Sequence, residues 1–385
     1  MTGRRSSLIL LLLLATACSD STSPSDANLL KAVSGGDDHG CLLVENGDLH
    51  CWGWGAFGQL GPGDTIDYNV PIKVTGEHRF TTVSAGSAHT CGLTSNGDAY
   101  CWGGNAVGAL GVPDAGFKSK IPVKVAGGIR FKTISAGTGY TCGVSTSDVG
   151  YCWGSGLDGE LGHGELVDEF EPVQVSGSLR FRTISTSLFH TCGLTIGGKA
   201  YCWGDNLYGK LGNGTVNHST TPVAVTGNLT FKEIGTGDFF TCGLTPEGQV
   251  YCWGSNVSFE LGNGNPSITF ISNPVPLYGV LRFEALAVGS YHACAVTASR
   301  RLYCWGANTY GKLGNGLETA TVIPVQVTGD HEFTAVTAGG NHTCALTKNE
   351  GAFCWGWNRL GQLGIGSRSS KLFPSQVTES YLEGP

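Results

Sequence analysis

Fourteen of the fifteen cysteines fall into seven pairs, and the two members of every pair are ten residues apart. The pairs are Cys41 with Cys51, Cys91 with Cys101, Cys142 with Cys152, Cys192 with Cys202, Cys242 with Cys252, Cys294 with Cys304 and Cys344 with Cys354. Such thiols form disulfides, stay buried as free thiols that act as small hydrophobes, or bind a metal. The short Cys-x-x-Cys spacing of zinc ligands is missing, which disfavours a metal. We predict seven disulfides, one in each unit of a repeat.

An aromatic ring precedes the first cysteine of every pair by two residues. This position holds His39, His89, His190, His292 and His342 in five units, and Tyr140 and Phe240 in the other two. A metal-binding or acid–base role would not survive replacement by Tyr or Phe. We therefore interpret the position as a flat ring that packs between neighbouring units.

Few other residues point to catalysis. Four carboxylates, Asp158, Glu160, Asp168 and Glu169, are candidates for a hydrolase or lyase that acts on polysaccharides. A glycosidase needs two carboxyl groups about 5 to 9 Å apart, a distance that the sequence does not define. Two Gly-x-Gly-x-x-Gly segments belong to the repeat and precede no helix, so they do not predict a dinucleotide site. We expect no catalytic residues, no metal and no cofactor.

Two tryptophans break the repeat. The residue after Cys-Trp-Gly is Trp54 in the first unit and Trp357 in the seventh, whereas the other units have Gly, Ser, Asp or Ala. If the units close into a ring, these indoles lie in adjacent units on one rim. Trp, Tyr and Arg are enriched in protein-binding hot spots, and aromatic rings also stack on sugars. Alternatively, the two indoles only complete the last junction. The candidate binding rim comprises Trp54, Phe57, Tyr208, Tyr310, Trp357 and Arg359.

The elements that must position these residues are short strands. The Cys-Trp-Gly tripeptides recur every 50 to 52 residues, and 61 of the 385 residues are Gly, which disfavours long helices. One unit contains four β-prone runs, at 80–86, 89–94, 98–102 and 122–125. Four strands in about fifty residues are typical of one propeller blade. The run that begins with proline belongs at a sheet edge.

The middle two runs predict a hairpin that aligns the cysteines. A three-residue turn with Gly97 in a left-handed conformation places Cys91 opposite Cys101 in a non-hydrogen-bonded pair. A Cα separation of about 4.5 to 5.5 Å there suits a disulfide. The Cys and Leu side chains then face one neighbouring blade, and the Tyr and Trp side chains face the other. Asp148, Arg300 and Glu350 replace the turn glycine in three units.

The first residues predict export. Arg4 and Arg5 precede an apolar run at 8–15 that is too short to span a bilayer. The run ends at Ala17-Cys18, which resembles a lipoprotein lipidation site; an ordinary signal peptide cleaved near Ala17 is the alternative. We predict a lipoprotein-type signal peptide at 1–17, a lipidated Cys18 with a flexible Ser/Pro-rich tether at 18–28, and a propeller at 29–385.

The repeat resembles a known family. Segments 133–137, 194–195, 201–204 and 209–214 resemble the regulator of chromosome condensation repeat, and the resemblance spans residues 29–378. It implies a seven-bladed β-propeller. Ser187 and Phe259 stand where the repeat has Gly, so we expect slight distortion of blades four and five. If blade and repeat boundaries are offset, the two ends of the chain meet in one blade and close the ring.

The function implied by the resemblance is binding. Nuclear members of the family act as guanine-nucleotide exchange factors, but an exported chain of net charge −7 does not suit a nucleic-acid surface. An exported bacterial propeller of similar architecture inhibits β-lactamases by protein–protein contact. We predict a monomeric cell-envelope module, anchored to a membrane by lipid, that binds an extracytoplasmic protein or glycan. The alternatives are an envelope hydrolase or lyase and, by family analogy only, an exchange factor.

Overall fold

The computed structural model describes residues 30–349 and 351–378. In this part of the chain, seven four-stranded antiparallel sheets form the blades of a ring. The only helical turns described are two short 3-10 segments, Leu207–Gly209 and Thr309–Gly311. The predicted all-β, seven-bladed propeller is confirmed.

Each blade uses four strands that follow one another in the sequence from the central channel to the outer wall. The first strands are β1 (Leu30–Gly35), β5 (Phe80–Ala85), β9 (Phe131–Ala136), β13 (Phe181–Thr186), β17 (Glu233–Thr236), β21 (Phe283–Val288) and β25 (Phe333–Ala338). The second strands are β2 (His39–Val44), β6 (His89–Thr94), β10 (Tyr140–Ser145), β14 (His190–Thr195), β18 (Phe240–Leu244), β22 (His292–Thr297) and β26 (His342–Thr347). The third strands are β3 (Leu49–Gly53), β7 (Ala99–Gly104), β11 (Gly150–Gly154), β15 (Ala200–Gly204), β19 (Val250–Ser255), β23 (Leu302–Gly306) and β27 (Ala352–Gly356). The fourth strands are β4 (Tyr68–Lys73), β8 (Lys118–Lys124), β12 (Glu169–Gln174), β16 (Ser219–Ala224), β20 (Phe270–Pro276), β24 (Thr321–Gln326) and β28 (Lys371–Gln376).

The hairpin of the second and third strands has the predicted register. In β6 and β7, Cys91 lies opposite Cys101, and the Thr94 amide donates to the Asp98 carbonyl over 3.0 Å. Asp148 and Arg300, which replace the turn glycine, adopt the left-handed conformation at φ 67° and 60°. The third exception, Glu350, lies outside the described residues.

All seven predicted disulfides are present, and each lies within one blade between its second and third strands. They join Cys41 to Cys51, Cys91 to Cys101, Cys142 to Cys152, Cys192 to Cys202, Cys242 to Cys252, Cys294 to Cys304 and Cys344 to Cys354. Their Cα atoms are 4.0 to 4.1 Å apart, somewhat closer than the 4.5 to 5.5 Å expected from the sequence. Non-hydrogen-bonded pairs are the closest pairs in an antiparallel ladder, and these lie slightly closer than the usual 4.5 Å or so. The pairing is therefore confirmed, and only the expected spacing was too wide.

The fourth strand forms the outer edge of every blade, as its proline predicted. Each fourth strand contains proline: Pro71, Pro122, Pro172, Pro222, Pro274, Pro324 and Pro374, with Pro276 as a second proline in β20. Proline has no backbone N–H to donate to a neighbouring strand, so it is tolerated on an edge strand, which has a neighbour on one side only.

The hydrophobic core is divided among the seams between blades. In the seam between the second and third blades, Cys91 and Leu93 pack with Phe131 and Trp153 of the next blade. The Trp153 indole also donates to the carbonyl of Ala109 in the preceding blade over 3.0 Å. The predicted division of the hairpin side chains between the two neighbouring blades is therefore confirmed.

The ring closes without any exchange of strands. Trp52 of the first blade packs among Cys344, Leu346 and Leu363 of the seventh, and its indole donates to the Gln362 carbonyl over 2.9 Å. Blade and repeat boundaries coincide, so the offset that would bring both chain ends into one blade is absent from the described residues. The last seam shares these tryptophan and hydrophobic contacts with other seams, and they replace strand exchange. It lacks the histidine–threonine hydrogen bond, because Gly40 stands where the second blade has Thr90.

Close approach of the blades explains the glycine that follows nearly every first strand. A Cβ on Gly86 would lie 2.5 Å from the carbonyl oxygen of Gly137 in the next blade. Ser187 takes this place in the fourth blade, whose β13–β14 register matches that of β9 and β10. Phe259 adopts a left-handed φ of 66°, near the 84° of Gly58 at the equivalent place. Both blades with a replacement keep their four-stranded sheet, although β17, the first strand of the fifth blade, is short.

The predicted signal peptide, Cys18 and the tether lie outside the described residues. Within the described residues, no helix has the length and apolar character needed to cross a bilayer.

Candidate binding face

The two ends of the channel are built from different connections. We call one end the loop face; it carries the turns between first and second strands and the segments that leave the third strands. The opposite end, the hairpin face, carries the hairpin turns and the links between blades. The Trp54 amide donates to the Asp38 carbonyl and the Trp357 amide to the Asn341 carbonyl, each over 2.9 Å. These bonds place both tryptophans on the loop face.

The predicted rim residues separate into three groups on this face. The rings of Trp54 and Phe57 lie 5.2 Å apart in the first blade, and those of Tyr310 and Trp357 lie 6.0 Å apart across the sixth and seventh blades. Among the described residues, no ring contact joins Tyr208 to any of these four. Arg359 is exposed beside Trp357. No ring contact joins Trp54 to Trp357 among the described residues.

Tyr208 belongs to a group that sequence reasoning missed. Its ring lies 6.0 Å from Phe239, which lies 6.1 Å from Tyr291. Phe189, Phe239 and Tyr291 directly precede the repeated ring of the second strand, where the other blades have Asp, Ala, Gly or Asn. A departure from the repeat was therefore visible at this position. The aromatic arc, as we name it, spans blades four to seven: Phe189, Tyr208, Phe239, Tyr291, Tyr310 and Trp357.

Two tyrosines of the aromatic arc have an unfavourable backbone. Tyr208 and Tyr310 have φ values of 66° and 65°, a left-handed conformation that costs a residue with a side chain about 1 to 2 kcal/mol. Phe57, at the equivalent place in the first blade, is not among the residues with positive φ. Strain of this kind persists where the surroundings hold it in place, often at functional sites.

A second set of residues beneath the face carries buried charge. The residue before each Leu-Gly is almost fully buried and differs between blades: Gln59, Ala109, Glu160, Lys210, Glu260, Lys312 and Gln362. Its carbonyl receives hydrogen bonds across the seam, as when Thr241 and Trp253 both donate to Lys210. The backbone role is thus common to the blades, while the side chain is free to vary.

The two lysines support the aromatic arc from below. The Lys210 ammonium pairs with Asp205 and lies 5.5 and 5.1 Å from the ring centres of Phe189 and Phe239. The Lys312 ammonium donates to the Asn341 side chain over 2.8 Å and lies 5.8 Å from the Tyr291 ring. Burial lowers the pKa of both lysines, that of Lys312 to about 8.

The buried glutamates organise their own loops. Glu160 accepts hydrogen bonds from the Ser155 hydroxyl and the Asp158 amide, at 2.9 and 2.8 Å. Burial raises the pKa of Glu160 to about 7 and also raises that of Glu260. Each carboxyl group therefore serves the conformation of the loop that follows its own third strand.

Three of the four carboxylates considered for catalysis, those of Glu160, Asp168 and Glu169, have structural partners. Asp168 accepts from the Gly156 amide over 3.1 Å, and Glu169 lies 3.5 Å from the His163 ring. Only 1% of Glu160 is exposed, so its carboxyl group does not face an open cleft. This arrangement fits loop structure better than hydrolysis of a polysaccharide.

Three carboxylates surround the mouth of the channel on the loop face. Asp37 and Asp238 line the channel with Ser87 and Ser290, and Asp38 follows Asp37. Burial and, as the second cause, the Asp37 charge together raise the pKa of Asp38 and of Asp238 to about 6. Burial also raises the pKa of Asp37. Within the described residues, no Lys, Arg or His forms an ion pair with any of the three.

The repeated histidines lie in the seams. His39 is fully buried and its Nε2 lies 2.8 Å from the Thr90 hydroxyl of the next blade; His89, His190 and His292 contact a threonine in the same way. Burial lowers the pKa of His39 to about 3, which keeps the ring neutral. These contacts support the packing interpretation. No group of three His, Cys, Asp or Glu side chains in the described residues could hold a metal ion.

The sequence profile of the RCC1-like domain matches residues 15–282, more than half of the chain. The chain belongs to the RCC1-like domain family. Profiles of the regulator of chromosome condensation (RCC1) repeat match the remaining blades, at 301–346 and 350–382 and at 283–312 and 333–362. The family suggested by the repeat is therefore confirmed.

The proteins to which this chain is similar cover different shares of it. The ultraviolet-B receptor UVR8 of Arabidopsis thaliana is 29% identical over 151 residues, which cover 38% of this chain and 34% of the receptor. The chain thus matches about a third of that relative's length. Human WBSCR16 superimposes with a TM-score of 0.76 at 21% identity, over 84% of this chain and 88% of that one. Yeast RCC1 (Prp20), solved with Kap60 bound, gives 0.77 at 18% identity, over 97% and 92%.

Proposed function

We propose that this protein is an exported binding module that recognises a protein partner through its loop face. The observation that carries the proposal is the aromatic arc. Its rings occupy positions where the repeat does not require aromatic residues. Two of them are exposed, Tyr310 by 40% and Tyr291 by 36%, and the other four are half-buried. Clusters of Trp and Tyr are typical of binding hot spots.

The family supports protein recognition as the kind of binding. RCC1-type propellers are suited to protein–protein interaction, and yeast Prp20 has been solved in complex with Kap60. For this chain, we propose a partner outside the cytosol. Its seven disulfides are typical of an oxidising compartment. The leader at 1–17, a lipidated Cys18 and the tether at 18–28 would anchor the propeller to an envelope membrane.

The other candidate functions have weaker support. In a hydrolase or lyase, a carboxyl group must reach the substrate, whereas Glu160 is buried and Asp168 is bonded to a backbone amide. An exchange factor requires a cytosolic or nuclear GTPase, which an exported chain does not meet. Binding of a glycan is the alternative for the same aromatic surface, and glycosidase treatment of the partner distinguishes it.

Affinity capture from envelope extract tests the proposed function. The oxidised protein is immobilised, and retained proteins are compared between the native chain and the double variant Trp54→Ala, Trp357→Ala. We expect a protein partner that the double variant loses by at least tenfold. The matched control is Ile196→Ala, which removes an exposed apolar side chain from a hairpin turn on the opposite face and should retain the partner.

The same experiment can contradict the proposal. A partner that the double variant retains and Ile196→Ala loses would move the binding site to the hairpin face. Retention that survives protease treatment of the extract and is lost with glycosidase treatment would assign a glycan instead.

A further inference from the structure

We infer that the aromatic arc and the adjacent channel mouth bind a cationic protein segment, in which an arginine or lysine is flanked by apolar side chains. This inference rests on the proposed function and names the chemistry of the partner. It is based on the apolar surface of the arc and on the charges that border it.

The apolar part of the surface lies on blades four to six. Leu207, Val257 and Phe270 are exposed by 51%, 64% and 44%, and the Phe270 ring lies 6.3 Å from the Tyr208 ring. An apolar partner side chain would cover these groups and remove them from water. The left-handed backbone of Tyr208 and Tyr310 holds their rings on this surface, although glycine would suit both positions better.

The charge beside this surface is negative, and no Lys, Arg or His of the described residues forms an ion pair with it. Asp37 and Asp238 line the channel mouth; their side chains bond to hydroxyl groups such as those of Ser87 and Ser290, and the Lys210 ammonium donates to the Asp238 main-chain carbonyl over 3.3 Å. Lys210 lies near Asp238, but its ammonium pairs with Asp205 and is fully buried.

The hairpin face shows the opposite pattern. There Asp48 pairs with both Lys73 and Arg79, and Asp98 pairs with Lys124. Asp48 and Asp98 are thus neutralised within the chain, whereas the carboxylates at the channel mouth form no ion pair among the described residues.

The apolar surface and the carboxylates at the channel mouth together favour a cationic segment as the occupant, by charge complementarity. A cation that enters the mouth offsets the repulsion between Asp37 and Asp238, which, after burial, is the second cause of the raised pKa of Asp238. It also lies next to aromatic faces, which attract cations. An acidic segment would be repelled, and a neutral glycan would leave the carboxylates without a counterion. The buried lysines cannot attract an anion, because other groups already surround both ammonium ions.

Selection from a random dodecapeptide phage library tests this inference on the whole oxidised protein. We expect enriched peptides that carry Arg or Lys beside aromatic or aliphatic residues. Synthetic copies are then measured by calorimetry, with each arginine replaced in turn by citrulline, which has nearly the same shape and no charge. The citrulline peptides should bind at least tenfold more weakly, and the native peptides should bind more weakly at higher salt.

Variants of the protein provide the second arm. Asp37→Asn with Asp238→Asn keeps both side-chain sizes and should weaken the cationic peptides at least tenfold. Asp330→Asn removes the same charge from an exposed position on the hairpin face and should change binding less than twofold. The citrulline comparison leaves the protein unaltered, so it tests the inference even if the double variant folds poorly.

Several outcomes would overturn the inference. These are enriched peptides without a cation, equal binding by the citrulline peptides, no enrichment at all, or binding to neutral glycans on an array in place of cationic peptides. Enriched peptides without a cation that the Trp54→Ala, Trp357→Ala variant fails to bind would leave the proposed function standing. An envelope partner that is indifferent to that variant would instead contradict the proposed function itself.

Discussion

The loop face differs from the seams between blades in how far its residues repeat around the ring. In the seams, the same residues recur around the ring: a disulfide, a tryptophan whose indole donates to the preceding blade in six of the seven cases, and a ring at the start of the second strand. On the loop face, equivalent positions differ from blade to blade, as Phe57, Tyr208 and Ser258 illustrate. Recurrence in this chain therefore identifies packing, and departure from the repeat identifies the candidate binding surface.

The comparison also corrects a common intuition about histidine. Five buried histidines would attract attention in most sequences, but these lie in seams, and four of them contact threonines of the next blade. Phenylalanines at 189 and 239 attract less attention, but they lie on the variable face above a buried lysine. In this repeat protein, the position of a residue within the unit predicts its role better than its residue type does.

The largest expected effect belongs to the seams. Trp203→Ala should lower the free energy of unfolding by about 3 to 5 kcal/mol, because it empties a fully buried site and removes the hydrogen bond to the Glu160 carbonyl. Chemical denaturation measures the change. Trp357→Ala, which truncates a half-buried tryptophan on the loop face, is the matched control and should lose less than half as much. Equal losses would remove the distinction between the two regions.

Loss of one disulfide should have the next largest effect. Cys192→Ala with Cys202→Ala opens a loop of ten residues, for which the chain-entropy account gives about 3 kcal/mol. Because each bridge lies within one blade, the variant should still unfold in a single transition. A loss below about 1 kcal/mol would show that the hydrophobic contacts of the seams suffice without the bridge.

Glu160→Gln should remove a pH dependence. The raised pKa of Glu160, about 7 against an ordinary 4.5, means that the folded state favours the protonated carboxyl group. Its contribution to stability is therefore full below about pH 4.5 and is lost as the pH rises through 7. The variant should exceed the native protein by about 2 to 3 kcal/mol at about pH 8 and match it at about pH 4.

The chain contains its own precedent for this substitution. Gln59 and Gln362 occupy the equivalent position and accept from the same loop amide, at 3.0 and 3.1 Å. Glu171→Gln, on the exposed edge of β12, is the control and should leave the pH profile unchanged. A profile of Glu160→Gln parallel to that of the native protein would contradict the assignment.

The smallest effect is expected for a tyrosine of the aromatic arc. Tyr310→Gly should stay within about 1 kcal/mol of the native stability, because relief of the left-handed backbone offsets the lost ring contacts. Tyr140→Gly, in a seam, removes a fully buried ring and its hydrogen bond to the His190 carbonyl. Thermal melts should place the two variants far apart, and similar melting temperatures would contradict the comparison.

The sequence predicted most of the fold because the cysteine spacing and the hairpin turn together determine the register. One pair, Cys91 and Cys101, sets the pairing of β6 and β7 and so decides which side chains face each seam. The aromatic arc was only partly predictable. Tyr208, Tyr310 and Trp357 break the repeat after Cys-Trp-Gly, whereas Phe239 and Tyr291 join them only once the ring brings separate loops together.

The shifted pKa values of the buried carboxyl groups could not be predicted from the sequence. The pKa of Glu160 depends on burial by groups from other parts of the repeat, and that of Asp238 depends on Asp37 across the channel, 201 positions away in the chain. Neither neighbour is visible from local spacing. That blade and repeat boundaries coincide in the described residues likewise became clear only from the closed ring.

Closure without strand exchange has a consequence for engineering. Because the seam between the seventh and first blades has the same tryptophan and hydrophobic packing as other seams, Gln376 and Leu30 are related as Lys73 is to Phe80, which a six-residue link joins. A circularly permuted chain, opened at any other link and joined there by such a linker, should assemble the same ring. Whole blades could then be moved around the circle to rearrange the surface chemistry without redesigning the scaffold.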